Sequence, residues 1–172
     1  MKYFGSIDQG TTSTRFIVFD ENGKVIYQHQ QEFKQHLPNE VSVEHDPNEI
    51  WESVINCINE VGKDIPIEQL SSIGITNQRE TTLAWSKSTG KPLHNALVWQ
   101  DTRTQDICDE LKQINDLQDE FTKTGLPIAT YFSLSKILWL LRNIEDVQIA
   151  KANNDLCFGT VDSWLLYKLT GN

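Results

Sequence analysis

The stretch Tyr3-Phe4-Gly5-Ser6-Ile7-Asp8-Gln9-Gly10-Thr11-Thr12-Ser13-Thr14-Arg15-Phe16-Ile17-Val18-Phe19 sets two apolar, β-prone segments on either side of a dense polar connection. Tyr3 to Ile7 and Phe16 to Phe19 read as strands, and Lys24 to Phe33 as a third, with Glu21-Asn22-Gly23 turning the chain between the last two. An antiparallel meander therefore opens the fold. The connection packs one carboxylate, one glycine and four hydroxyls into eight residues, Asp8 to Arg15. Gly10 lets the backbone approach an anion closely, while Thr11, Thr12 and Ser13 offer N–H and O–H donors to phosphate oxygens. Arg15 adds a charged donor, and Asp8, at the end of a strand, is placed to hold Mg²⁺ directly or through its waters. From these residues alone, a Ser/Thr-rich hairpin turn with no ligand accounts for the octapeptide equally well.

Working outward, Asp46-Pro47-Asn48-Glu49 combines an N-cap, a proline at the first helical position and a glutamate placed for a capping box. Ile50, Trp51, Val54, Ile55, Ile58 and Val61 recur at helical spacing as far as Gly62, a face suited to covering the sheet. Ser72 to Ile75 reads as a short buried strand, and Thr82 to Trp85, Ala96 to Trp99 and Leu156 to Phe158 as further strands. Thr102 to Gln113, Leu134 to Asn143 and Val161 to Leu169 read as helices, the last capped by Gly171. Strands alternating with helices make an α/β architecture, and no linker or repeat divides it, so residues 1–172 are expected to form one domain.

Composition narrows the function. With 15 Lys and Arg against 24 Asp and Glu, the net charge of −9 offers no basic stripe for nucleic acid. No run approaches the apolar length of a membrane span, and the N-terminus is too polar for a signal peptide, so a cytoplasmic location is expected. Cys57, Cys108 and Cys157 are odd in number and widely spaced, as suits reduced structural thiols. There is no GxxxxGK[ST] and no GxGxxG, which excludes a P-loop, a dinucleotide fingerprint and a protein-kinase loop. An actin-like hairpin remains as the phosphate-binding option.

A second polar cluster, Asn77-Gln78-Arg79-Glu80, follows a predicted strand, where α/β proteins commonly place ligand contacts. Arg79 is a pure donor and ionised Glu80 a pure acceptor, so together they can satisfy neighbouring hydroxyls of a polyol. Tyr131 can add a hydroxyl and Trp99 an apolar wall. A surface ion pair and two core aromatics would also explain these four residues. Glu44, His45 and Asp46 resemble a metal trio, but Asp46 serves better as a helix cap, and Trp139 and Trp164 fit the core.

Ile7-Asp8-Gln9-Gly10-Thr11-Thr12-Ser13-Thr14-Arg15 resembles the first phosphate loop of the FGGY carbohydrate kinases, and among them of the glycerol kinases. Val43 to Pro47, Gly74 to Thr82, Val98 to Thr104, Tyr131 to Ser133 and Phe158 to Trp164 match that family in the same order. The resemblance implies an actin-like, ribonuclease-H-like (ASKHA) fold, a mixed sheet with flanking helices of which these residues form only the N-terminal part. It further implies ATP and Mg²⁺ as cofactors and glycerol as substrate, held by Arg79, Glu80, Tyr131 and Trp99, with Gly10, Thr11, Thr12, Ser13 and Arg15 on the phosphates and Asp8 on the metal. Xylulokinase-like members carry Gly-Gln-Met-His-Gly where this chain has Asn77 to Thr81, which favours glycerol over a pentose. The family's catalytic base, the Asp of a Gly-Asp-Gln segment, has no counterpart here, so no catalytic residue is assigned, and the family implies a homo-oligomer at full length. The family's usual Gly-Trp before Val43 is replaced by Val41-Ser42, a difference of packing.

Overall fold

The computed structural model describes residues 2–171, with backbone alone at 115, 116, 118 and 119; Met1 and Asn172, the ends of the expected domain, lie outside the described residues. The chain gathers into two compact units. The first comprises residues up to Gln35, His45–Gln78 and those from Val161 onward; the second comprises His36–Glu44 and Arg79–Thr160.

In the first unit, β1 (Tyr3–Gln9), β2 (Ser13–Asp20) and β3 (Val25–Glu32) form the expected antiparallel meander. A later strand, labelled β6 in chain order (Leu70–Asn77), pairs parallel to β1, giving a mixed sheet of order β3-β2-β1-β6. Antiparallel partners share a face, so Gly5 with Val18 and Ile7 with Phe16 point into the core. Helix α1 (Pro47–Gly62) covers that face with Ile50, Val54, Cys57 and Val61, while Trp51, Ile55 and Ile58 of the predicted stripe are half-buried. Its N-cap and its proline start are as read: Asp46 has extended backbone and its carboxylate accepts the Asn48 N–H at 2.8 Å. Thr14 and Ser53 share a 2.7 Å hydroxyl bond inside this core. Helix α6 (Val161–Thr170) packs along β6 and ends at Gly171, whose φ of 77° is the left-handed cap expected there. Trp164 is fully buried against the edge of Trp51.

Strand β6 departs from the reading. It is longer than Ser72–Ile75 and mostly exposed, with Ile73 38% accessible. The reason is its place: it is the outer strand of the described sheet, and α1 lies over β2 and β3 instead. The first two strands are also longer than read, so Asp8 sits within the β1–β2 ladder opposite Arg15 and not at a strand end.

The second unit holds a sheet of order β4-β5-β8-β7-β9, built from β4 (His36–Asn39), β5 (Ser42–His45, its last residue counted with the first unit), β7 (Thr82–Ser86), β8 (Ala96–Leu97) and β9 (Leu156–Thr160). Strand β8 is shorter than the predicted Ala96–Trp99, because the Trp99 N–H goes to the Thr81 hydroxyl instead. Strands β4 and β5 were not predicted. Helices α2 (Gln105–Lys112) and α4 (Ser133–Asn143) fall within or beside their predicted ranges. The short α3 (Asn115–Thr124) and α5 (Glu145–Ala152) went unread: few apolar residues give them a period, and Val147 and Ala150 are the buried side of α5. Ala84, Leu97, Leu140 and Val147 centre the core.

This unit also buries charge. Asp101 takes Arg103 through both carboxylate oxygens at 2.9 and 3.0 Å, and the same guanidinium reaches Glu44 at 2.7 Å and stacks 4.7 Å from the Trp139 ring centre. Burial would raise the Glu44 carboxyl, but hydrogen bonds from Asn95 and Arg103 outweigh it and hold the group below its usual value. On α4, Lys136 is fully buried, and its ammonium donates to the Thr130 carbonyl. Burial pushes Lys136 from 10.5 down to about 8, against the opposing pull of Asp101, Cys108 and Glu80.

Two outcomes are expected. A Cβ on Gly5 would lie 2.8 Å from Phe16 Cζ, so Gly5→Ala should cost about 1–3 kcal/mol by overpacking, read by urea denaturation. For Lys136, the folded state holds the proton less tightly than the unfolded state. Below about pH 8 both forms are charged and stability is flat; between about 8 and 10.5 the unfolded state binds more protons, so stability rises with pH. Relative to Lys136→Met, which does not titrate, the native protein should gain about 3 kcal/mol across that window, measured by denaturation at a series of pH values.

Candidate functional site

The polar connection between β1 and β2 is a tight hairpin, Gly10 to Thr12, closed by the Gly10 N–H donating to the Ser13 carbonyl at 2.9 Å. A Cβ on Gly10 would come within 3.2 Å of that carbonyl, so the residue has little room for a side chain. The hairpin is braced from beneath. The Gln78 N–H donates to the Gln9 carbonyl at 2.7 Å, and the Gln78 amide lies 3.1 Å from both the Gln9 side-chain oxygen and His45 Nδ1, all of it buried. Gln9 in turn donates to the Gly10 carbonyl at 2.7 Å. Ser13 Oγ accepts from Gln30 at 2.9 Å, while Thr12 is exposed.

On the sheet face opposite Ile7 and Phe16, Asp8 and Arg15 stand opposite one another and form a 3.1 Å ion pair, both partly exposed. Asp8, Gly10, Thr11, Thr12, Ser13 and Arg15 are thus gathered on one hairpin, with the charged pair held at its base. The expected Mg²⁺ fits one accessible carboxylate whose remaining ligands would be phosphate oxygens and water. Among the described residues no group of three His, Cys, Asp or Glu side chains could hold a metal alone. Glu44, His45 and Asp46 serve three separate purposes: an ion pair, a brace for Gln78 and a helix cap.

In the second unit, three of the four polyol candidates, Glu80, Trp99 and Tyr131, meet around the start of α4. Glu80 has a left-handed φ of 66°, unusual for a residue with a side chain, and its Oε2 accepts the Ser133 N–H at 2.9 Å and the Ser133 hydroxyl at 2.7 Å. The carboxylate therefore caps the helix, which has no cap from its own N-terminal side chain. Tyr131, 39% exposed, tilts against Trp99 with ring centres 5.6 Å apart. Arg79 is exposed immediately before Glu80. Tyr131 and Arg79 are exposed, and Trp99 is half-buried.

Several contributors escaped the sequence reading. Ser133, Asp101, Arg103 and Glu44 lie inside segments singled out as motifs, yet no role for them followed from residue type. Gln9, Gln78 and His45 are ordinary polar residues whose importance arises only from burial together. Lys136 carries no signal, since a lysine in a helix usually points to water.

The family model described as the N-terminal domain of the FGGY family of carbohydrate kinases matches residues 3–172. The chain is 51% identical over 172 residues to glycerol kinase of Rhizobium meliloti (strain 1021), covering 98% of this chain and 34% of that protein. It is 48% identical over 174 residues to glycerol kinase of Bacillus cereus (strain G9842), covering 99% and 35%. A crystal structure of Plasmodium falciparum glycerol kinase with ADP superposes with a TM-score of 0.90 at 36% identity, over all of this chain and 35% of that one. Gluconate kinase from Lactobacillus acidophilus shares the fold, with a TM-score of 0.83 at 23% identity over 99% of this chain and 34% of its own. The chain spans about a third of the length of the relatives it matches. Among the described residues no helix is long and apolar enough to cross a membrane. The chain belongs to the FGGY family of carbohydrate kinases, with the actin-like mixed α/β fold of its N-terminal part.

Proposed function

We propose that this chain supplies the phosphate hairpin and the polyol site of an ATP-dependent glycerol kinase, which transfers the γ-phosphoryl group to a terminal hydroxyl of glycerol. The observation that carries the reading is the meeting of Glu80, Tyr131 and Trp99 at the start of α4, with Arg79 beside them. Arg79 donates to one substrate oxygen and the second carboxylate oxygen of Glu80 accepts from a neighbouring hydroxyl, which fixes the orientation of the carbon chain. Trp99 and Tyr131 wall off its apolar edge. At the hairpin, the backbone and hydroxyls of Gly10 to Ser13 cradle phosphate oxygens, and Arg15 adds positive charge. Mg²⁺, held by Asp8, would supply charge neutralisation on the phosphates. Glycerol is favoured over a sugar by the glycerol kinases among its relatives and by Arg79-Glu80 in place of the xylulokinase-type loop. The nearest alternative is a kinase of the same family acting on another polyol or sugar.

Catalysis needs a base, and we infer that these residues do not provide it. The base of the resembled family is the Asp of a Gly-Asp-Gln segment, and no such segment occurs in residues 1–172. A pure preparation of residues 1–172 should show no glycerol-dependent ATP turnover in a coupled assay; a rate in the ordinary kinase range of about 1–100 per second would place a base within them. In the gene's entire product, a substrate panel should give ADP formation with glycerol, and ADP formation with a pentose or erythritol but not glycerol would overturn the assignment.

Substitutions separate the two sites. Arg79→Ala and Glu80→Ala should lower kcat/KM for glycerol by about 1–3 kcal/mol with little change in ATP KM. Thr11→Ala and Asp8→Asn should act on ATP and on Mg²⁺ dependence instead. Glu80→Ala also removes the α4 cap, at about 1 kcal/mol of stability, so its unfolding midpoint is to be measured alongside.

A further inference from the structure

Lys136 is the one fully buried charged side chain on the described face of α4, and nothing in the proposed chemistry uses it. Its position is costly in two ways. The ammonium has lost its water, and it lies in the first turn of α4, where the helix dipole favours anions. A methionine would fill much the same volume without either cost, so the charge must have a partner that matters. That partner is the Thr130 carbonyl, one residue before Tyr131. Ser133, also in the first turn, binds the Glu80 carboxylate. A single helical turn therefore grips the polyol cluster at two points, Glu80 through Ser133 and the Thr130–Tyr131 peptide through Lys136. Asp101, Glu80, Cys108 and Arg103 set the field around the ammonium, and the first three favour its charged form.

We propose that Lys136 is a positioning residue for the polyol site: by holding the Thr130 carbonyl it fixes the peptide that sets Tyr131 against Trp99. The inference rests on the proposed function and deepens it, assigning substrate affinity partly to a residue that never touches substrate. Its test uses the gene's entire product. Lys136→Met should fold, raise glycerol KM about tenfold and leave ATP KM within about twofold of the native value. In a cycle with Tyr131→Ala, the double variant should be no worse in glycerol KM than the more severe single variant, because both losses act through the same ring. Should Lys136→Met fail to fold, Lys136→Gln, shorter and neutral but still a donor, carries the same comparison of KM values. Equal rises in both KM values, a fall in kcat alone, or additive effects in the cycle would assign Lys136 to the fold only and overturn the proposal. A native enzyme that makes no ADP with glycerol would instead sink the functional reading, and this inference with it.

Discussion

The period-two alternation of the β1–β2 ladder is the constraint on which the first unit depends. Opposing residues share a face, so pairing Ile7 with Phe16 directs both into the core and leaves Asp8 and Arg15 together on the other side. A slip of one residue would expose the core and bury an ion pair. The same register brings Gln9 opposite Thr14 on the core side, where Gln78, His45 and Ser53 satisfy them. The hairpin tip is thus held by its strands and by a buried amide network, and its donors do not depend on a ligand for their arrangement. That is the preorganisation a phosphate site needs, because ordering a loop at the moment of binding would subtract from affinity.

What the residues disclosed follows the same physics. The meander, the Asp46-Pro47 helix start and the Gly171 stop were legible because each is fixed by neighbours in sequence: a two-residue period, a side-chain cap, a positive φ. Strand β6 was misread as buried because an apolar run looks alike whether another element covers it or not, and only the helix placement decides. Helix α3 carries only Leu117 and Phe121 as apolar residues, and α5 has a weak apolar period, so neither announces itself. At the candidate polyol cluster, the family resemblance singled out Arg79, Glu80, Trp99 and Tyr131. Residue types alone left them as readily a surface ion pair and two core aromatics, and neither disclosed how they are held. The Glu80–Ser133 pairing spans 53 residues and the Arg103–Glu44 pairing 59, distances over which sequence spacing carries no geometry.

Cost is distributed unevenly between the two candidate sites, and the distribution bears on which one sets specificity. The hairpin uses common conformations, a turn closed by the Gly10 N–H on the Ser13 carbonyl, and a partly exposed ion pair worth little either way. The cluster around α4 collects a non-glycine residue at φ 66°, a buried lysine and a buried Arg–Asp–Glu network. Each of these is destabilising unless its surroundings fix it, at roughly 1–3 kcal/mol for a strained backbone and more for an unpaired buried charge. Strain and buried charge persist where they hold something that looser packing would not. Phosphate is bound by any loop that presents enough N–H groups, so its site can be simple. Recognising one small polyol among many requires donors and acceptors fixed to a fraction of an ångström, since the ligand has too few atoms to make up for misplaced ones. On the proposed function, the first turn of α4, capped by Glu80 and bonded through Lys136 to the Thr130 carbonyl, is where the chain meets that requirement.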